Sequence, residues 1–178
     1  MFNFVNSFMS WYLKKRVQSL DQIMDKAAEV QMDSFNELLT QFKKTSIGKD
    51  FGAGDIQNYE QFKSRVPIQT YDEIKPYIER CMRGEQRVLW PGEIKWYAKS
   101  SGTTSDKSKF IPVSFDALNE CQFKGSRDVL AYYYHQHPDA KVFQGKGLII
   151  GGSHQVNELS ASSFYGDLSA VMMNNLPF

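Results

Sequence analysis

The residues whose chemistry stands out lie in one stretch, Lys99-Ser100-Ser101-Gly102-Thr103-Thr104-Ser105-Asp106-Lys107-Ser108-Lys109. Positions 100–105 hold five hydroxyls and one glycine, and three lysines flank or close the run. A polyphosphate presents many acceptor oxygens and several negative charges, so whatever grips it must bring donors to close range. Hydroxyls and main-chain N–H groups supply those donors, while Gly102 lets the backbone approach and permits positive φ. A lysine then adds a mobile point charge. No Gly-Lys-Ser/Thr follows at the spacing of a Walker loop. Ser, Thr and Gly also gather in loops for conformational reasons alone, and a flexible, solvated hairpin tip is the competing reading of this composition.

The flanking sequence supplies the frame. Ile94–Ala98 and Lys109–Val113 read as short strands on either side of the loop, a strand–loop–strand setting unlike the strand-to-helix setting of a Walker loop. Ser114 is placed to cap a long helix whose Leu118, Cys121, Val129 and Tyr133 share a face, ending before Pro138. Gly147–Gly151 reads as a buried strand, Tyr165-Gly166-Asp167 as a turn, and Ala170–Asn175 as a last short helix. Upstream, Leu20, Ile23, Met24, Ala27, Gln31, Phe35, Leu38 and Phe42 recur at steps of three and four, a core-facing helical stripe with Ser19 and Gln22 as its capping box. Thr70 and Glu73 form a second capping box before a helix lined by Ile74, Tyr77, Ile78 and Cys81, stopped at Gly84 and open to a kink at Pro76. The expected class is α/β: a helical N-terminal half, residues 1–92, followed by the start of a mixed sheet flanked by helices, residues 93–178, together one structural unit.

Composition narrows the classes of function. The 178 residues carry 21 Lys+Arg against 20 Asp+Glu, so the overall charge of +1 points to neither nucleic acid nor an acidic membrane. With 42% hydrophobic residues the chain can bury a core, which excludes disorder and fibrous architectures. Met1–Leu13 is apolar and aromatic but interrupted by Asn and Ser, and its basic residues Lys14, Lys15 and Arg16 follow rather than precede it, the reverse of a signal peptide. An amphipathic helix docking on the protein is the expectation there. Cys81 and Cys121 form neither a disulfide framework nor a zinc spacing, which fits a cytoplasmic protein.

Ser100-Ser101-Gly102-Thr103-Thr104 through Lys109-Phe110-Ile111-Pro112 resembles the ATP-phosphate motif of adenylate-forming enzymes. It is most similar to the auxin-responsive acyl-acid amido synthetase family, including its bacterial members. Acyl-CoA synthetases and luciferases usually reach their lysine one residue sooner. Thr70–Arg80, with Gly84-Glu85 beyond it, is similar to the segment that precedes the phosphate loop in that family, so the resemblance runs over most of the chain. Asp106 stands where the family usually has glycine, and Ser108 where it often has proline. Family members are much longer, so the chain reads as an N-terminal portion. The adenine- and ribose-binding motifs are absent, and Tyr165-Gly166-Asp167 lacks the arginine and spacing of the family's Tyr-Arg-x-Gly-Asp type of motif.

The resemblance implies an ATP- and Mg²⁺-dependent ligase that activates a carboxylic acid as an acyl-adenylate and transfers it to an amine such as an amino acid. It assigns phosphate contacts to Ser100, Ser101, Thr103 and Thr104, backbone approach to Gly102, and charge neutralisation or loop anchoring to Lys109. No residue is expected to act as nucleophile, general base or metal ligand, and no nucleic acid or membrane partner is expected. A CoA ligase with the same first half-reaction and a non-catalytic helical interaction module are the alternatives. His135 and His137 read as surface or capping residues; His154 and Ser160–Ser163 are weaker candidates for lining a pocket.

Overall fold

The computed structural model describes residues 2–100, 108–144, 146, 148, 152, 155–160 and 162–177. In chain order the helices are α1 (Phe2–Asp25), α2 (Ala27–Phe42), α3 (Ser46–Asp50), α4 (Tyr59–Arg65), α5 (Tyr71–Met82), α6 (Lys124–Gln136) and α7 (Leu168–Asn174). The strands are β1 (Trp96–Lys99), β2 (Phe110–Val113), β3 (Val156–Ser160) and β4 (Ser163–Gly166). Two compact units emerge, Met1–Gln31 with Asn119–Ile150 and Met32–Leu118 with Gly151–Phe178.

The first unit is a helix pair. Leu13 and Val17 sit on one face of α1 and are buried against Ala131 and Tyr134 of α6, the amphipathic docking expected of the N-terminal stretch. Tyr134 donates its hydroxyl to Asn6 Oδ1 at 2.8 Å and accepts from the Val142 N–H at 3.1 Å. Arg16 grips both oxygens of Asp128, at 2.7 and 2.9 Å.

Two expected faces shift. The Ser114 hydroxyl does cap the helix, accepting from the Ala117 N–H at 3.0 Å, but the chain then passes through a π turn, Ala117–Phe123, before α6 begins. An i→i+5 turn takes up about one residue more than an α turn, which rotates everything downstream. Cys121, Val129 and Tyr133 therefore point outward, and Leu130, Ala131 and Tyr134 face α1 instead. The stripe over residues 20–42 is split between α1 and α2 by a break at Lys26, and Ser19 lies inside α1 rather than at its start. Phe35 and Phe42 do pack, around buried Leu39, Ala53 and Ile56, whereas Ile23, Met24 and Leu38 are exposed. Periodicity reports that a helix has an apolar face, not how much of that face another element covers.

The second unit is layered. Its sheet runs β2-β1-β4-β3, with β1 antiparallel to β2, parallel to β4, and β4 antiparallel to β3. Alternation along β1 puts Tyr97 on one face, where Ile78 and Cys81 of α5 join it in a core with Val88 and Ile94. On the other face α7 buries Ala170 and Val171. Gly166 keeps β4 close to its neighbours, since a Cβ there would lie 2.7 Å from the Gln155 carbonyl oxygen and 3.5 Å from the Ala170 Cβ.

The mixed sheet flanked by helices is thus as expected, but its membership is not. Most of 147–151 lies outside the described residues, and Leu148 is 87% exposed and in no strand. The parallel partner of β1 is β4, which includes the Tyr165-Gly166 expected in a turn. Short polar strands such as Val156–Ser160 and Ser163–Gly166 carry no clear alternation of their own, so only pairing reveals them. Helix α5 runs unbroken through Pro76.

Candidate functional site

The β1–β2 hairpin brings the two ends of the hydroxyl-rich loop together. Beyond the last ladder pair, Lys99 opposite Phe110, the Ser100 N–H donates to the Lys109 carbonyl at 2.9 Å and the Lys109 N–H donates to Ser100 Oγ at 3.0 Å. A hydroxyl has one proton and two lone pairs, so Ser100, while accepting from Lys109, keeps a proton to donate. Ser100 and Lys109 are therefore neighbours, as the loop reading requires. Ser101, Gly102, Thr103 and Thr104, together with Asp106, Lys107 and His154, lie outside the described residues.

Helix α5 approaches this base. Its start is set by the capping box: Thr70 accepts from the Glu73 N–H, and the Glu73 carboxylate accepts from the Thr70 N–H at 2.7 Å. Those bonds from the Thr70 N–H and hydroxyl hold the Glu73 carboxyl below the usual range. Tyr71, the first residue of the helix, then reaches β2: its hydroxyl accepts from the Phe110 N–H at 2.9 Å and donates to the Phe110 carbonyl at 3.3 Å. The Lys109 ammonium lies over the Tyr71 ring, 5.2 Å from its centroid, and the Lys99 ammonium lies 6.0 Å from the centroid of Tyr165.

Between α5 and the hairpin opens a cleft of about 780 Å³. Lys99 and Lys109 line it from the hairpin, and Asp72, Lys75 and Glu79 from the helix. Lys75 and Glu79 are 3.8 Å apart and offset each other, but Lys99 and Lys109 form no ion pair among the described residues. Among the described residues, the hairpin side of the cleft is thus cationic and rests on aromatic rings rather than carboxylates.

Lys99, Lys75 and Tyr71 are site residues that the loop reading did not assign. Lys99 was within reach of sequence: once residues 100 and 109 close a hairpin, its strand position is fixed. Tyr71 carried the signature of a helix start and a place in the Thr70–Arg80 resemblance, neither of which points to a contact with β2. Ser160 ends β3, Ser163 is buried, and neither lines the cleft. His137 is the C-cap of α6 and packs on the Tyr133 ring at 4.8 Å, while His135 is an exposed residue of the last turn. Among the described residues no group of three His, Cys, Asp or Glu is arranged to hold a metal, and no helix is long and apolar enough to cross a membrane.

A profile of the GH3 family N-terminal domain matches residues 16–178. The chain belongs to the GH3 family. Among curated GH3 proteins it is 32% identical over 145 residues to the jasmonoyl–L-amino acid synthetase GH3.5 of Oryza sativa subsp. japonica, covering 80% of this chain and 24% of that protein. It is 28% identical over 133 residues to the indole-3-acetic acid-amido synthetase GH3.17 of Arabidopsis thaliana, covering 74% of this chain and 21% of that one. The solved structure of the GH3.15 acyl acid amido synthetase superposes with a TM-score of 0.79 at 21% identity, over 92% of this chain and 29% of that one. This chain therefore has a GH3 N-terminal fold and spans about a quarter of the length of the GH3 relatives it matches. The family expected from the Ser-Ser-Gly-Thr-Thr loop and the Thr70–Arg80 segment is the family found.

Proposed function

We propose that this GH3 chain contributes the triphosphate-gripping wall of an ATP-dependent acyl-acid amido synthetase. The observation that carries the reading is the hairpin base, where Ser100 and Lys109 are bonded together and Lys99 and Lys109, which form no ion pair among the described residues, line the cleft. In the reaction a substrate carboxylate oxygen attacks the α-phosphorus of ATP, the bond to the bridging oxygen breaks, and pyrophosphate leaves. The acyl-adenylate carbonyl is then attacked by an amine, which loses a proton as AMP departs and an amide forms. Charge accumulates on the transferring phosphorus and on the leaving pyrophosphate, so donors and cations already fixed in place stabilise it without rearranging.

Ser100, Ser101, Thr103 and Thr104 are assigned to phosphate oxygens, Gly102 to backbone approach, and Lys109 to the developing charge. Mg²⁺, bound to the triphosphate, would supply further neutralisation. Asp72 on the cleft wall fits an ion carried largely by phosphate and water. The relatives' names, with jasmonate and indole-3-acetate as acids, support a small carboxylic acid as substrate and an amino acid as acceptor. The two cysteines are both free thiols, which supports a cytoplasmic setting.

The test is acid-dependent exchange of labelled pyrophosphate into ATP by the full-length protein. A charge-assisted contact is worth about 1.5–3 kcal/mol, so Lys109→Ala should lower exchange by roughly 10- to 150-fold. Exchange at the unsubstituted rate would remove the assignment.

A further inference from the structure

We infer that Tyr71 is a positioning residue for Lys109, a role that rests on the phosphate reading of the cleft. Three contacts converge on this lysine. Its own N–H and carbonyl are held by Ser100 across the hairpin base. The residue after it, Phe110, has both its N–H and its carbonyl bonded to the Tyr71 hydroxyl. The ring of the same tyrosine lies beneath the ammonium, 5.2 Å from its centroid. The lysine's backbone is thereby pinned on both sides, and the end of its side chain has a defined resting place.

A lysine can be held in two ways, and they differ in consequence. A carboxylate in the ring's position would neutralise the ammonium and compete with an incoming phosphate. An aromatic face attracts the cation through its quadrupole yet supplies no counter-charge, so the whole positive charge stays available to a ligand. A lysine already ordered on the ring also loses less freedom when an anion arrives than one that sweeps through solvent. The tyrosine hydroxyl and ring act together here: the hydroxyl fixes where the ring sits, and the ring fixes where the ammonium sits. The same bonds dock the first turn of α5 on β2, so the helix start and the lysine are set by one side chain.

The test measures binding of tripolyphosphate with magnesium to the full-length protein, as a cycle of Tyr71→Leu and Lys109→Ala. Removing the ring should weaken binding about three- to fivefold while Lys109 is present, the range expected of an exposed cation–ring contact. In the Lys109→Ala background the same change should alter affinity by less than about 1.5-fold, because there is no ammonium left to position. Equal losses in both backgrounds would mean that Tyr71 only supports the fold, and would overturn the inference. No effect of Lys109→Ala alone would instead remove the phosphate reading on which the inference rests. Should Tyr71→Leu fail to fold, Tyr71→Phe is compared with the same position carrying ring-fluorinated phenylalanine. Fluorination drains the ring face of negative charge at nearly constant shape, so weaker binding supports the positioning role and unchanged binding overturns it.

Discussion

The bond between Arg16 and Asp128 makes a quantitative forecast for the helix pair of the first unit. Both oxygens of Asp128 are engaged, at 2.7 and 2.9 Å, and the two side chains are only 25% and 23% exposed. Charge centres about 4 Å apart attract by ~1 kcal/mol in water and ~4 kcal/mol at the effective dielectric of a protein surface. Ordering the long arginine side chain costs about 2 kcal/mol, so the expected net coupling is about 1–2 kcal/mol. It would be read from urea unfolding, followed by circular dichroism, of the wild type, Arg16→Ala, Asp128→Ala and the double variant. Hydrogen bonding to Arg16 holds the Asp128 carboxyl below the usual range, and the same bond raises the Arg16 guanidinium. Only the carboxyl titrates in an accessible window. A depressed folded value means that the contribution is complete above about pH 4, where an unfolded Asp is ionised, and disappears as pH falls through the lower folded value. The cycle cancels titrations that do not involve the pair, so the coupling should be present at pH 7 and shrink as pH falls below about 4. Coupling below ~0.3 kcal/mol at pH 7, or coupling that persists unchanged in acid, would refute the reasoning.

Two further outcomes follow from close contacts and burial. A Cβ at position 48 would lie 1.9 Å from the Phe42 carbonyl oxygen, itself held by the Thr45 hydroxyl at 2.7 Å, so Gly48→Ala should cost on the order of 3 kcal/mol or more in a urea titration; a loss under ~1 kcal/mol would show that this carbonyl is free to move. Burial pushes the Cys81 thiol up, while Cys121 is exposed, so a thiol reagent should modify Cys121 rapidly in the native protein and Cys81 only after unfolding. Equal rates for the two thiols in the native protein would contradict the packing of α5 on the sheet.

Local features were readable wherever a short stretch of chain satisfies its own backbone. The Thr70–Glu73 capping box predicted the start of α5, and the Ser114 cap its helix, because both bonds close within three residues. The strands flanking the hydroxyl-rich loop were readable for a related reason: once two short apolar runs enclose a loop, a hairpin is the nearest way to pair their edges. The bonding of Ser100 to Lys109 came only with the structure. The outward turn of Val129 and Tyr133 was not readable, because one π turn upstream changes the phase without changing the spacing of apolar residues.

What the sequence by itself determined is the hydroxyl- and lysine-rich make-up of the loop, the starts of its neighbouring helices and the family to which they belong. All of these are encoded in residue types a few positions apart. Tertiary structure alone decided that β4 rather than an earlier strand lies parallel to β1, and that Tyr71, 38 positions before Lys109, holds that lysine on its ring. A strand edge offers the same row of N–H and C=O groups to any partner, so the choice falls to whichever arrangement buries the layers above and below it. A ring finds its cation only after that choice has been made.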